Sequence, residues 1–167
     1  MVEPKKEIVT NTSPLIAIIA ATGNLEILKK LYTVVHVPLE VCEEIVGDPL
    51  RFGVEEFNSA PWLRKRNAPV TIAGFLNAVL DSGEASVIQY ALDENIATVC
   101  IDESVGRRIA RLNGLTVTGS LGILIKAKKQ GLIINLKDSL LRMRNHGIWI
   151  HPALAKDALI AAGENNN

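Results

Sequence analysis

"EIVTNTSPLIAI", residues 7–18, decides the fold. An apolar, β-branched run arrives at three small polar side chains, Asn11, Thr12 and Ser13, and Pro14 then opens a second apolar segment. Residues 7–10 read as a buried strand. Ser13 can serve as an N-cap and Pro14 suits the first helical turn, so the stretch reads as strand, polar rim, helix. Three further β-branched runs, at 33–37, 97–101 and 115–118, repeat that motif between longer helical patterns. This alternation predicts an α/β fold, a three-layer α/β/α sandwich with a central parallel sheet.

The first helix breaks at Thr22-Gly23-Asn24 and resumes. "PLEVCEEIVG" begins on Pro38, carries Leu39, Cys42, Ile45 and Val46 at helical spacing, and stops at Gly47. Residues 48–73, rich in Pro, Gly and Asn, read as irregular with one helix near 54–59. "DSGEASVIQYALDENI" sets Asp81 three residues before Glu84, a capping-box pattern. "ESVGRRIARLNG" and "GSLGILIKAKKQG" are two further helices closed by glycine. The tail reads as a helix, an apolar bend at 148–150, a last helix from Pro152 and a frayed polar end. Residues 1–167 are expected to form one domain, with a core over about 7–133 and a helical extension over about 134–163.

With 167 residues, 48% of them apolar, the chain can bury a real core, and 18 basic residues balance 18 acidic ones. No net field draws it to a polyanion, so such a partner must be gripped locally. Cys42 and Cys100 lie in apolar runs without metal-ligand spacing, which predicts reduced thiols in a cytoplasmic protein. The charged N-terminus does not resemble a signal peptide, and no apolar run reaches the length of a membrane span.

In parallel sheets ligands bind beyond the carboxyl ends of the strands. Asn11, Thr12 and Ser13 follow the first strand, Asp102 and Glu103 the third, Thr118 and Ser120 the fourth. Glu84 opens the helix before the third strand, and Glu43 and Glu44 follow the second. Carboxylates gathered on one rim suit a hard divalent cation, magnesium or manganese, which can activate water for in-line hydrolysis of a phosphodiester.

Each residue also has a structural reading, and on spacing alone that reading is the stronger. Glu84 completes a box with Asp81, Asp102 caps the helix that follows it, and Asn11 and Ser13 cap the first helix. Glu44 lies opposite the apolar stripe of its helix, whereas Glu43 lies on the stripe's flank. Arg107, Arg108 and Arg111, like Lys126, Lys128 and Lys129, read as solvated helix faces that could grip phosphates. Trp62 and Trp149 read as packing residues. His36, His146 and His151 share no ligand spacing.

Taken in order, "IVTNTSPLIAI", "VVHVPLEVCEEI", "DSGEASVIQYAL" and "ATVCIDESVGRRIARLNGLTVTGSLGILIKAKKQGLI" resemble the PIN domain, particularly its short prokaryotic branch similar to the nuclease toxins of toxin–antitoxin pairs. The likeness runs from about Glu7 to about Ile133. It implies a metal-dependent endoribonuclease using Mg2+ or Mn2+, with RNA as substrate, a homodimer and an antitoxin protein as partners. The resemblance sets the four acidic positions at Asn11, Glu44, Glu84 and Asp102, and puts Thr12, Ser13, Glu103, Thr118 and Ser120 on the rim. Asn11 departs from the pattern: it offers an amide oxygen without charge, which lowers affinity for a dication. That departure favours a rival reading, a catalytically weakened PIN-like module that binds nucleic acid or regulates. A receiver-like or nucleotide-binding domain ranks third, for want of an acidic pair or a glycine-rich turn after the first strand.

Overall fold

Strand order follows from where the β-branched runs fall. In the computed structural model, which describes residues 2–133 and 135–164, the strands are β1 (Glu7–Thr10), β2 (Val34–Val37), β3 (Arg64–Lys65), β4 (Thr98–Cys100) and β5 (Thr116–Thr118). They form one parallel sheet in the order β3-β2-β1-β4-β5. Ile8, Val9, Val35, Val37, Val99 and Cys100 are buried, as a sheet covered on both faces requires. The reading of 48–73 as irregular needs correction, because β3 lies within it. Arg64 and Lys65 carry no apolar signature and pair through backbone alone, opposite His36 and Val37.

The helices are α1 (Thr12–Thr22), α2 (Glu26–Leu31), α3 (Leu39–Val46), α4 (Val54–Asn58), α5 (Gly74–Val79), α6 (Ser82–Asp93), α7 (Ser104–Leu112), α8 (Ser120–Lys129), α9 (Leu136–Asn145) and α10 (Pro152–Ala161). Asn11, not Ser13, is the N-cap of α1, and Pro14 falls in the first turn, where its missing N–H has no intrahelical partner to lose. Gly23 ends α1 in the left-handed conformation at φ 87°, its N–H donating to Ile19 O. Leu15, Ile18, Ile19 and Ala21 of α1 are buried, because the helix lies between the sheet and α9. Arg142 of α9 donates from Nε to Ala21 O at 2.7 Å, satisfying a carbonyl in the last turn of α1.

α1, α2, α8, α9 and α10 pack together on one face of the sheet, and α5, α6 and α7 on the other. α3 touches both groups through α1 and α6. The chain steps outward from β1 through β2 to β3, returns to β4 on the far side of β1, and steps out to β5. Right-handed crossovers place helices of opposite stepping direction on opposite faces, which yields the three layers. Reversal between β1 and β4 opens a crevice at their carboxyl ends, and Thr10 stands level with Cys100, which stands level with Thr118.

His36 belongs to a buried chain of polar groups away from that crevice. Its Nε2 donates to Glu7 Oε1 at 3.1 Å and its Nδ1 accepts from the Tyr90 hydroxyl at 3.2 Å. The carboxylate can only accept, which fixes this tautomer. Burial lowers the His36 pKa, against the pull of Glu7. Cys42 is half-buried, Cys100 is buried, and both are free thiols. Among the described residues no helix is long and apolar enough to cross a membrane. Residues 165–167, expected as a frayed end, lie outside the described residues.

Candidate active site at the strand ends

Asn11 leaves β1 at the crevice. Its N–H donates to Cys100 O at 3.1 Å, tying the two central strands together beyond their ladder. Its side chain is buried and Oδ1 has no hydrogen-bond partner. The next residue, Thr12, donates from Oγ1 to Glu44 Oε2 at 3.0 Å, so the first turn of α1 holds a carboxylate from α3. This contact selects Glu44 over Glu43 as the acid facing the strand ends.

α6 delivers the next two acids. Asp81 caps the helix, its Oδ1 accepting from the Glu84 N–H at 2.8 Å. The capping-box reading holds only in that half. Glu84 Oε1 is buried without a partner, so its carboxylate does not close the box through that atom. Two bare backbone positions make room for these oxygens. A Cβ on Gly83 would lie 2.8 Å from Glu44 Oε2, 3.3 Å from Asn11 Oδ1 and 3.5 Å from Asp81 Oδ1. A Cβ on Gly106 would lie 3.0 Å from Glu84 Oε1. Burial, then the neighbouring charges of Asp81, Glu103 and Glu44, push the Glu84 pKa up to about 7.

Asp102 is placed differently from the expectation. Glu103, not Asp102, is the N-cap of α7. Asp102 Oδ1 instead accepts from the Ser120 N–H at 2.7 Å and from Ser120 Oγ at 3.1 Å, at the start of α8. Arg107 is likewise no merely solvated side chain: Nη1 donates to Ile101 O at 2.9 Å. Arg107 Nη1 and Asp102 Oδ1 crowd a third bare position, each 2.7 Å from where a Cβ on Gly119 would stand.

The rim therefore has two parts. Asn11, Glu44 and Glu84 come together with Asp81, an acid that spacing had assigned only to capping. Asp102 turns toward Ser120 and Arg107. Among the described residues no three His, Cys, Asp or Glu side chains are grouped to hold a metal ion. Of the four expected positions, Asp102 accepts from Ser120, and position 11 brings an amide oxygen where a carboxylate would carry charge. The donors still fit a hard cation chemically. They are all oxygens, two are buried acceptors without donors, and magnesium is commonly held by one or two carboxylates plus waters and substrate phosphate. Glu84, Glu44 and Asn11 are the residues that offer such a set.

Ser13, Asp102, Glu103, Thr118 and Ser120 line a cleft of about 1050 Å³ that runs outward to the connection between α9 and α10. Trp149 stands in its wall, 76% exposed, and is not the packing residue expected; Trp62 does pack, partly buried, against the core. Arg51 reaches the same cleft, anchored by an Nη1 donation to Glu44 O at 3.3 Å. Neither Arg51 nor Trp149 carries a local signal of this placement, since each arrives from a loop brought in by distant packing.

Comparison with known proteins agrees with the topology. The family model DUF3368, described as a PIN domain, matches residues 7–164. No curated protein and no solved structure matches the chain. The match extends through α9 and α10, and PIN domains have a nuclease-type fold. Spanning nearly the whole length and agreeing with the parallel α/β sheet, it establishes that the chain belongs to the PIN-domain family.

Proposed function

We propose that the chain is an endoribonuclease of PIN type that hydrolyses phosphodiesters of unpaired RNA with magnesium or manganese. The observation that carries this reading is the pair of buried, unpartnered oxygens, Asn11 Oδ1 and Glu84 Oε1, beside Glu44 at the switch point of the sheet. Buried acceptors are ordinarily satisfied, so the pair calls for a cation or a donor. A bound divalent ion would offset phosphate charge and lower the pKa of a water. The chain's own groups would do the rest. Glu84 and Glu44 would hold the ion with Asn11, while Thr12 orients Glu44 and Ser120 orients Asp102 through their hydrogen bonds. Arg107 and Arg51 set positive charge along the cleft, where phosphates of the strand can be positioned.

The finer role, a cytoplasmic toxin acting as a homodimer and neutralised by an antitoxin protein, rests on the sequence resemblance. Sedimentation of the purified protein tests the dimer. The second reading, a module that binds RNA without cutting it, is favoured by the amide at position 11 and by the absence of a three-acid group among the described residues.

One assay separates the two readings. End-labelled single-stranded RNA is incubated with protein and manganese, with and without chelator. Cleavage is expected to vanish with chelator and to fall by more than about 100-fold in Glu84→Gln, the upper end of what even outer partners of a metal ligand cost. Cleavage that persists in chelator or in Glu84→Gln refutes metal-dependent hydrolysis at this site; RNA bound but left intact by a folded protein establishes the binding module.

A further inference from the structure

The cleft leading away from the rim carries aromatic and cationic groups that the hydrolytic reading leaves unused. Trp149 is a large apolar side chain left 76% exposed, and its ring meets His151 at 5.7 Å with planes at 83°. Phe52 stacks on His146 at 4.1 Å and 24°, which ties the loop bearing Arg51 to the segment bearing Trp149. Arg51, Arg107, Trp149 and His151 all line the one cleft that also contains Asp102 and Glu103. Exposed indole combined with guanidinium groups is the composition of a single-strand platform, in which bases stack on the ring and phosphates follow the cations.

We infer that Trp149 is a base-stacking platform for unpaired RNA, with Arg51 and Arg107 holding the phosphates between it and the rim. This inference rests on the ribonuclease reading for the identity of the strand, and it deepens that reading by naming a binding determinant. The cleft is continuous from Asp102 to Trp149, so a strand bound across the rim lays its flanking nucleotides along this wall. Stacking needs a free π-face, so the platform selects unstacked over duplex RNA while tolerating any base. Trp149 is a positioning residue, since it stands outside the oxygen cluster formed by Asn11, Glu44 and Glu84.

The test is binding of a fluorescein-labelled eight-nucleotide oligoadenylate RNA in chelator, read by anisotropy for the native protein, Trp149→Leu and Trp149→Phe. Trp149→Leu is expected to raise Kd about 5- to 150-fold, the worth of one stacked base, and Trp149→Phe to restore most of the affinity. A duplex of the same length is expected to bind more weakly and to be indifferent to the substitution. Equal affinity of the native and Leu proteins overturns the platform, as does no binding by the native protein. Kinetics in manganese separates this inference from the one it rests on. A raised KM with unchanged kcat in Trp149→Leu supports the platform. Cleavage by the native protein with an unmoved KM in the variant overturns the platform and leaves the ribonuclease standing. Oligoadenylate bound through Trp149 but never cut overturns the ribonuclease and leaves the platform as the grip of a binding module.

Discussion

Glu84→Gln should stabilise the metal-free protein, and by an amount that depends on pH. In the unfolded chain this carboxyl loses its proton near 4.5; in the fold, burial and the charges of Asp81, Glu103 and Glu44 delay the loss to about 7. A raised carboxyl pKa means the folded state binds the extra proton, so stability falls as pH climbs from the lower value through the higher one. At about 1.4 kcal/mol per unit, the loss is about 1 kcal/mol at pH 5.5 and about 3 kcal/mol at pH 8. Glutamine keeps the shape and removes the titration. Whatever its amide costs in the pocket is the same at both pH values and cancels in their difference, which is about 2 kcal/mol. For a chain of this length 1 kcal/mol moves Tm by roughly 2–4 °C, so the variant's advantage should grow by about 4–8 °C between pH 5.5 and pH 8. Thermal melts in chelator at the two pH values measure it. Native and variant curves whose separation does not change with pH would refute the burial and repulsion argued for this side chain.

Asn11→Asp adds a fourth charge beside Glu44, Asp81 and Glu84. It should lower stability in chelator by about 1–4 kcal/mol and enlarge the rise of Tm that manganese produces; a manganese response no larger than the native one would remove position 11 from the ion site. Gly83→Ala places a methyl 2.8 Å from Glu44 Oε2, at the far end of an exposed side chain that can swing away at the cost of its hydrogen bond from Thr12. Melting should therefore shift by less than about 1 kcal/mol while metal-dependent cleavage falls at least about tenfold, and loss of fold or retention of full cleavage would each contradict that geometry.

Four strands were legible in the sequence within one residue of their ends, because β-branched runs leave a mark that survives without neighbours, even in β5, where Thr116 is exposed and Val117 and Thr118 are half-buried. β3 and α5 were not. β3 is two polar residues joined to β2 by backbone alone, and α5 begins on Gly74 and buries chiefly Leu76. At the site, Asn11 and Asp102 were read from strand ends and Glu84 from the opening of the helix before β4, whereas their partners were not read. Spacing assigned Asp102 to the helix next in sequence, but its hydrogen bonds go to Ser120, eighteen residues on. Asp81 looked sufficient as a cap and also joins the acidic group. Glu44 is exposed, as helical periodicity suggested, and what the pattern did not show is the donor that Thr12 supplies from another element. Each miss is a contact made by tertiary crossing, on which local pattern is silent.

Gly83, Gly106 and Gly119 each sit where one added carbon would strike an oxygen of Glu44, Glu84 or Asp102. The spacing of the charges is thus moulded by atoms that are missing as much as by those present. Anyone retuning the rim for a softer ion could trade the acids for imidazole or thiolate, yet would have to leave these three backbones naked. Survey by acid signature alone overlooks such a mould; a search keyed to hydrogen side chains beside acids would find it.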